Sequence, residues 1–160
     1  MAAALREKNP FSASEIDKWT NGGQAIFAGQ QVGFAGGPLY TLAKIATIVR
    51  MKRDLEKSGQ PATAFFWLAT EDHDWDEAAT LYVPAKDRQT DLAELRAIRT
   101  NGRHAMVGPQ PIPESLIVQL LALLGIERPQ WLREGITFGE SFAELIAEVF
   151  GGEVVLVDSL

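Results

Sequence analysis

A glycine-rich loop between an apolar segment and a helical segment constrains the fold of this chain more than any other feature. The stretch 26–41, IFAGQQVGFAGGPLYT, runs from an apolar strand end through four glycines into the start of a helix. Glycines let a backbone turn tightly and approach a ligand closely, and a helix N-terminus offers free N–H groups to phosphate or carboxylate. The glycine spacing matches neither GxGxxG nor GxxxxGK[ST], so the loop alone does not identify a nucleotide site.

The segments around the loop predict a strand, loop, helix and strand in succession. Residues 24–28 form a short apolar run bounded by glycines, which is typical of a buried strand. A helix is predicted over 39–57, and a glycine followed by a proline ends it. Residues 62–68, ATAFFWL, show no alternation and indicate a central strand covered on both faces. We expect the two strands to be parallel, with a right-handed crossover. The predicted buried face of the helix consists of Leu42, Ile45, Ala46 and Val49.

The later segments continue this α/β pattern. Residues 80–83 indicate a short strand, and residues 113–124 form a helix that is apolar nearly all round. The sequence TFGE at 137–140 is a capping box that opens a helix ending at Phe150. Residues 153–157 are β-branched and predict a further strand. The expected fold class is therefore α/β, with a parallel sheet and flanking helices.

Two regions of the chain are not assigned to the parallel sheet or its flanking helices. Residues 1–23 are polar and are interpreted as a loosely held lead-in to a domain that covers 24–160. The region 84–112 is interpreted as an inserted hairpin or an irregular segment. An Asn-Gly turn signal favours a hairpin between 93–100 and 103–107, although the first of these segments also shows helical spacing.

Composition excludes several classes of protein. The net charge of −6 argues against a protein that binds nucleic acid through its phosphate backbone. The absence of cysteine excludes disulfides, thiolate metal sites and a cysteine nucleophile, and it fits a reducing cytoplasm. No apolar run approaches the length of a membrane span. The N-terminus has no apolar region typical of a secretory signal, so we expect a cytoplasmic protein without membrane contact.

An acidic segment follows the second predicted strand. Residues 69–78, ATEDHDWDEA, lie where ligands collect in parallel sheets, at the carboxyl end of a strand. Three interpretations remain open: a solvated loop, a metal site, or an organic active site. In the last, His73 binds phosphate or shuttles a proton, while Glu71 or Asp74 orients it.

Three other residues are interpreted from their positions in the sequence. Lys44 lies one turn into the helix after the glycine loop, and it either faces solvent or projects back toward an anion at the loop. His104 stands in a polar stretch and is interpreted as an ordinary surface histidine. Trp67 lies in an apolar run and is interpreted as a core residue.

Two motifs in this order resemble the cysteine-adding enzymes of bacillithiol biosynthesis, the BshC cysteine ligases. The first motif, a GQQxGLxxGPLYT-like loop, is matched by Gly29, Gln30, Gln31, Gly33, Gly37, Pro38, Leu39, Tyr40, Thr41 and Lys44. The second, an xVFWxAxEDHDxxE-like segment, is matched by Phe66, Trp67, Ala69, Glu71, Asp72, His73, Asp74 and Glu77. Phe34 stands where the family often has leucine. Residues 135–150 resemble a third, later stretch of the family.

The resemblance implies a Rossmann-like core related in outline to class I aminoacyl-tRNA synthetases, of which this chain matches only the N-terminal part. It implies an amide-forming ligase that adds cysteine to glucosaminyl-malate, with ATP as a cofactor of the full-length enzyme and none established for this part alone. Family members are several-fold longer and dimerise, so we expect this part to be inactive alone and to contact another copy or a C-terminal region.

The resemblance and the strand-end positions together give a set of expected site residues. The catalytic candidates are His73, Asp74 and Glu71. The candidates for binding substrate or anion are Gly29, Gln30, Gln31, Gly37, Pro38, Tyr40, Thr41, Lys44 and Asp72. No residue is assigned to a metal. Two other functions stay open: a non-catalytic or oligomerising domain that pairs through the helix at 116–124, and a metal-dependent hydrolase.

Overall fold

The computed structural model describes residues 1–84, 92–99, 102 and 104–160. Asn101, which carries half of the predicted turn signal, lies outside the described residues. The chain divides into two compact units, which are described separately. Unit 1 consists of Met1–Gln31, Leu39–Ala69 and Ile146–Leu160, and unit 2 consists of Val32–Pro38 and Thr70–Leu145.

Unit 1 contains a parallel sheet. Strands β1 (Gln24–Gln31), β2 (Ala62–Ala69) and β5 (Val154–Asp158) pair in the order β1-β2-β5. Gln24 faces Ala62 at one end of the β1–β2 ladder, and Gln31 faces Ala69 at the other. The predicted α/β fold class and the parallel pairing are confirmed. Strand β1 is longer than predicted, so Gly29, Gln30 and Gln31 belong to the strand and not to the loop.

Helix α3 (Leu39–Lys57) has the predicted bounds, and Ile45 and Val49 of its predicted face are buried. Its buried residues are Thr41, Ile45, Ile48, Val49 and Lys52, which recur at helical spacing. Ala46 was assigned to this face and is exposed, because it lies outside the stripe that those five residues define. The prediction for Ala46 is therefore wrong.

The lead-in is packed against the sheet, and its interpretation as loosely held is wrong. Helix α1 spans Ala2–Lys8 and helix α2 spans Ala13–Thr20. Ile16 of α2 is fully buried in a cluster with Phe65 and Val155. The ring of Trp19 meets Phe65 edge-on, with centroids 5.3 Å apart. Burial of large apolar side chains stabilises the folded chain by about 1.5–3 kcal/mol each.

Trp67 departs from its predicted place in the core. Its residue surface is 44% exposed, whereas its neighbours in β2 are buried. It lies against Gly29 of β1, where an added β-carbon would approach the Trp67 β-carbon to 2.9 Å. The glycine therefore makes room for the indole near the carboxyl end of the sheet.

Unit 2 contains a two-stranded antiparallel sheet. Strand β3 (Thr80–Pro84) pairs with β4 (Leu92–Arg96), with Thr80 facing Arg96. The turn of the hairpin predicted between 93–100 and 103–107 lies outside the described residues, apart from Gly102. In the described part of the chain, β4 takes β3 as its partner. The backbone N–H of Ala97 also donates to the carbonyl of Ala79, which continues this pairing by one step.

Unit 2 also contains α4 (Trp75–Ala78), α5 (Glu114–Leu124) and the first eight residues of α6 (Phe138–Phe150), whose remaining residues belong to unit 1. Gly125 ends α5 in the left-handed conformation, with φ 66°. The capping box of α6 is confirmed: the N–H of Thr137 donates to Glu140 Oε2 at 3.0 Å, and the N–H of Glu140 donates to Thr137 Oγ1 at 3.2 Å.

Helix α5 is buried on one side only. Leu116, Ile117 and Leu120 are buried, whereas Val118 and Leu124 are exposed. The expectation of an apolar helix therefore holds, but part of its surface faces solvent. Across the described ranges, every helix is too short or too polar to span a lipid bilayer.

Candidate active site

The acidic segment after β2 folds into a tight turn held by its own carboxylates. Asp72 Oδ1 accepts hydrogen bonds from the backbone N–H groups of His73 at 2.6 Å and Asp74 at 3.2 Å. Asp74 caps α4 and accepts from the N–H of Glu77 at 3.2 Å. These bonds fix the backbone on both sides of His73, whose side chain is 63% exposed. Asp74, predicted as catalytic, thus also has a structural role.

A second segment of unit 2 runs beside this turn. The N–H of Val107 donates to the carbonyl of Asp72 at 2.8 Å, and the N–H of Gly108 donates to the carbonyl of Thr70 at 2.9 Å. An added β-carbon on Gly108 would lie 2.4 Å from the Thr70 β-carbon, so only glycine allows this approach. The pairing brings the ring of His104 to 6.1 Å from that of His73, measured between centroids. His104 is exposed as predicted, but it lies at the candidate site.

A cleft of about 730 Å³ opens beside His73. One side is formed by residues 73–76 and the other by residues 96–99. Trp75 is buried beneath it, donates from Nε1 to the carbonyl of Ala97 at 3.0 Å, and packs edge-on against Phe138. The cleft has the size of a small-molecule site.

Two arginines that sequence analysis did not select line this cleft. Arg96 forms an ion pair with Asp76. Arg99 donates from Nη2 to the carbonyls of His73 at 3.4 Å and Ala105 at 3.2 Å. Its guanidinium carbon lies 5.9 Å from the ring centroid of Trp75. No motif or spacing in the sequence distinguishes these arginines from surface residues, since Arg96 and Arg99 reach Asp76 and His73 across 20 and 26 positions.

The glycine-rich loop meets the acidic segment inside unit 2. An added β-carbon on Gly33 would lie 2.7 Å from the α-carbon of Gly37 and 3.6 Å from the carbonyl oxygen of Ala78. Gly37 has φ 66°, and Ala35 has φ 48°, a left-handed conformation that is unfavourable for alanine. Pro38 lines a smaller cleft of about 310 Å³ together with Asp76 and Glu77 of α4.

A second group of predicted residues lies in unit 1, around the start of α3. Lys44 Nζ donates to Gln30 Oε1 at 2.6 Å and lies 5.1 Å from the ring centroid of Tyr40. Gln30 Nε2 donates to the Tyr40 hydroxyl at 2.9 Å. Thr41 is fully buried, and its hydroxyl has no hydrogen-bond partner in the part of the chain that the structure describes. Gln31 is buried at the end of β1.

The predicted site residues are therefore divided equally between the units. Unit 1 holds Gly29, Gln30, Gln31, Tyr40, Thr41 and Lys44. Unit 2 holds Gly37, Pro38, Glu71, Asp72, His73 and Asp74. Among the described residues, no group of three or more histidine, aspartate or glutamate side chains is arranged to hold a metal ion.

A parallel sheet with a glycine-rich loop before its first crossover helix, and with polar residues at the strand ends, defines a Rossmann-like α/β domain. The chain belongs to the BshC family. The family model described as "Bacillithiol biosynthesis BshC, N-terminal Rossmann-like domain" matches residues 4–159.

Relatives of the chain carry the same family name. Proteins named "Putative cysteine ligase BshC" from Koribacter versatilis and Solibacter usitatus are each 34% identical to it, over 94% of this chain. A protein of that name from Staphylococcus haemolyticus is 43% identical over 59% of this chain. The chain spans 30% of the length of the Koribacter protein and 26% of the Solibacter protein. It thus corresponds to one part of the longer relatives.

Proposed function

We propose that this chain is the N-terminal Rossmann-like part of a cytoplasmic ligase that joins cysteine to glucosaminyl-malate in bacillithiol biosynthesis, and that it is inactive alone. The observation that carries the proposal is the family match over residues 4–159, which includes both the glycine-rich loop and the acidic segment. Pro38 and the acidic helix α4 line one cleft, which supports a shared role for these two segments.

The reaction requires two tasks from the protein. Cysteine's carboxylate must be held while it is activated, and the amine must be oriented for attack. In unit 2, His73 is exposed, has a fixed backbone and is positioned to move a proton or contact an anion. Glu71 and Asp74 are the carboxylates that would recognise the amine, and Asp72 holds the turn that carries them.

Unit 1 supplies groups suited to an anion. The amino group of Lys44 lies one turn into α3, and the N-terminus of a long helix favours negative charge. The buried Thr41 hydroxyl has no partner in the described ranges and fits a ligand atom. ATP is the cofactor that the family resemblance implies, and when bound it would supply negatively charged phosphates. Gln30 and Gln31 would donate to polar substrate atoms.

A chimera tests the proposed ligase function. The matching N-terminal segment of the Koribacter relative is replaced by this chain, and cysteine addition to glucosaminyl-malate is followed by mass spectrometry with ATP present. We expect product from the folded chimera and none from the 160-residue chain alone. No product from a folded chimera, under conditions where the relative itself is active, would contradict the ligase assignment.

A substitution in the chimera tests the site. His73→Ala should lower turnover by roughly 100-fold or more, the range for losing a general acid or base. Gln119→Ala, on the exposed side of α5, is the matched control and should leave turnover unchanged. Near-normal turnover of the His73 variant would remove this residue from the site.

A second candidate function is favoured by exposed apolar residues of unit 1. Phe27 of β1 is 63% exposed and Met51 of α3 is 51% exposed, and they line one shallow cleft. These residues suit an interaction domain that pairs with another copy or with the remainder of a longer protein. Sedimentation at several concentrations tests this function, and a monomer at all of them would contradict self-association.

A further inference from the structure

The N-terminus of helix α6 is bonded to a neighbouring backbone segment. The N–H of Phe138 donates to the carbonyl of Gln110, and the N–H of Gly139 donates to the carbonyl of Gly108, both at 2.9 Å. The first N–H groups of a helix have no acceptor within the helix itself. In α6 these donors hold the segment 108–110 in place.

The same segment is bonded in turn to the acidic segment after β2. The N–H of Gly108 donates to the carbonyl of Thr70 at 2.9 Å, and the N–H of Val107 donates to the carbonyl of Asp72 at 2.8 Å. Asp72 directly precedes His73 in the chain. One row of backbone hydrogen bonds therefore connects the first turn of α6 with the turn that carries the His73 imidazole.

Close packing leaves little freedom in this row. An added β-carbon on Gly139 would lie 3.2 Å from the carbonyl oxygen of Gly108 and 3.2 Å from Cγ2 of Thr70, so these neighbours would have to give by a few tenths of an ångström. Thr70 is buried, and protein interiors have few voids that could absorb such a shift. A displacement at Gly139 is therefore transmitted to the acidic turn.

Helix stability does not explain a glycine at position 139. Alanine is favoured over glycine in helices, and Gly139 lies in the first turn of α6. Its φ is not positive, so its backbone conformation does not require glycine. What glycine provides here is the close approach of α6 to Gly108 and Thr70.

We propose that Gly139 is a positioning residue for the candidate catalytic residue His73. Through Gly108 and Thr70, the first turn of α6 determines where the acidic turn holds the imidazole. The importance of this placement for catalysis rests on the proposed ligase function. A misplacement of about 1 Å can cost roughly 100-fold in rate, so a shift of a few tenths of an ångström should cost several-fold.

NMR of the 160-residue chain tests the positioning without ligase activity. Gly139→Ala should shift the ring signals of His73 and speed hydrogen exchange of the Gly108 amide. Its urea midpoint should be no lower than that of the parent, because alanine favours the helix. Glu148→Ala, on the exposed side of α6, is the control and should change neither signal. Unchanged His73 signals in Gly139→Ala would overturn the proposal, whatever the stability of the variant.

A second substitution tests the route through Thr70. Thr70→Ser keeps the hydroxyl and removes Cγ2, one of the two atoms that the alanine β-carbon would approach. In the double variant Thr70→Ser, Gly139→Ala, the His73 signals should return toward those of Thr70→Ser alone. Additive shifts in this double-mutant cycle would show that the two residues do not act through their contact, and would contradict the proposed route.

The chimera adds a kinetic measurement and separates this proposal from the ligase function. Gly139→Ala should lower kcat roughly three- to tenfold with a smaller change in KM, since a displaced catalytic group weakens transition-state stabilisation. If His73 shifts in the isolated chain but the parent chimera is inactive, only the ligase assignment fails. If the chimera is active and Gly139→Ala keeps the parent kcat, the positioning role is wrong.

Discussion

The side-chain amide of Asn9 forms two hydrogen bonds with the backbone of Leu156. Asn9 Nδ2 donates to the Leu156 carbonyl at 2.9 Å, and Asn9 Oδ1 accepts from the Leu156 N–H at 2.7 Å. The amide therefore takes the place that a residue of a neighbouring strand would occupy beside β5. Asn9 is buried, so these groups have few alternatives in water.

Replacing Asn9 tests the strength of this contact. Asn9→Ala should lower the free energy of unfolding by about 1–3 kcal/mol, because it leaves backbone groups of Leu156 unpaired. Urea denaturation monitored by circular dichroism measures the change. Asn21→Ala, at the exposed end of α2, is the control and should change stability by less than about 0.5 kcal/mol. Equal stabilities of the two variants would show that the amide contributes nothing.

Lys52 and Glu15 form a buried ion pair, with Lys52 Nζ 3.2 Å from Glu15 Oε2. Lys52→Met should destabilise the chain by roughly 3 kcal/mol, because Glu15 keeps a buried charge. We expect a loss at the lower end of the range for such pairs. The reason is that Lys18 Nζ lies 2.6 Å from Glu15 Oε1 and still offsets part of the Glu15 charge. The double variant Glu15→Leu, Lys52→Met should recover most of the loss.

Denaturant unfolding of the two single variants and the double variant gives the coupling between these charges. Arg50→Met is the control, because Arg50 pairs with Asp54 on the exposed face of the same helix. It should cost no more than about 1 kcal/mol. Additive losses in the double variant would argue against a direct interaction.

Gly108→Ala should displace the segment that carries His104. The new β-carbon would lie 2.4 Å from the Thr70 β-carbon, and overpacking of this kind costs about 1–3 kcal/mol. The Overhauser contact between the rings of His73 and His104 should weaken along with stability. Gly102→Ala is the matched control, because no atom of the other described residues lies within 4 Å of its added β-carbon. An unchanged ring contact in Gly108→Ala would contradict the observed pairing.

The capping box of α6 makes stability depend on pH. The N–H of Thr137 and then its hydroxyl hold the pKa of Glu140 below its ordinary value of 4.5. A carboxylate whose pKa is lowered by folding stabilises the fold fully at pH values above its ordinary pKa. This contribution is lost as the pH falls through the lowered pKa of the folded state. The stability difference between the parent and Glu140→Gln should therefore shrink on acidification.

Urea denaturation between neutral and acidic pH measures this difference. At neutral pH the parent should be more stable than Glu140→Gln by about 0.5–1 kcal/mol, since the residue is exposed and the contact is partly screened. Glu148→Gln, on the exposed side of the same helix, is the control. A difference that stays constant as the pH falls would rule out the carboxylate as its cause.

Local patterns were sufficient to predict the elements of the parallel sheet. The bounds of α3 followed from apolar spacing and a Gly-Pro stop, and the start of α6 followed from the box formed by Thr137 and Glu140. The unbroken apolar run before Ala69 indicated β2. These signals lie within single segments, where backbone propensity and burial agree.

Pairings between distant segments were not predictable in the same way. The Asn-Gly signal favoured a local hairpin, but β4 pairs with β3, and the N–H groups of Val107 and Gly108 bond to the carbonyls of Asp72 and Thr70. Arg99 reaches the site through the pairing of β4 with β3, and His104 reaches it through the second pairing. Trp67 belongs to an apolar run and was placed in the core, although its position opposite Gly29 leaves it half exposed.

The side chains of the lead-in also determine the direction in which the sheet can grow. Besides the Asn9 amide, Ser12 Oγ donates to the Val154 carbonyl at 2.8 Å, so side chains close the outer edge of β5. Across the described residues, no strand pairs with the outer edge of β1. A further strand can therefore join this sheet only beside β1, next to the exposed Phe27. Sheet extension is thus a one-ended process that can begin only at the β1 edge.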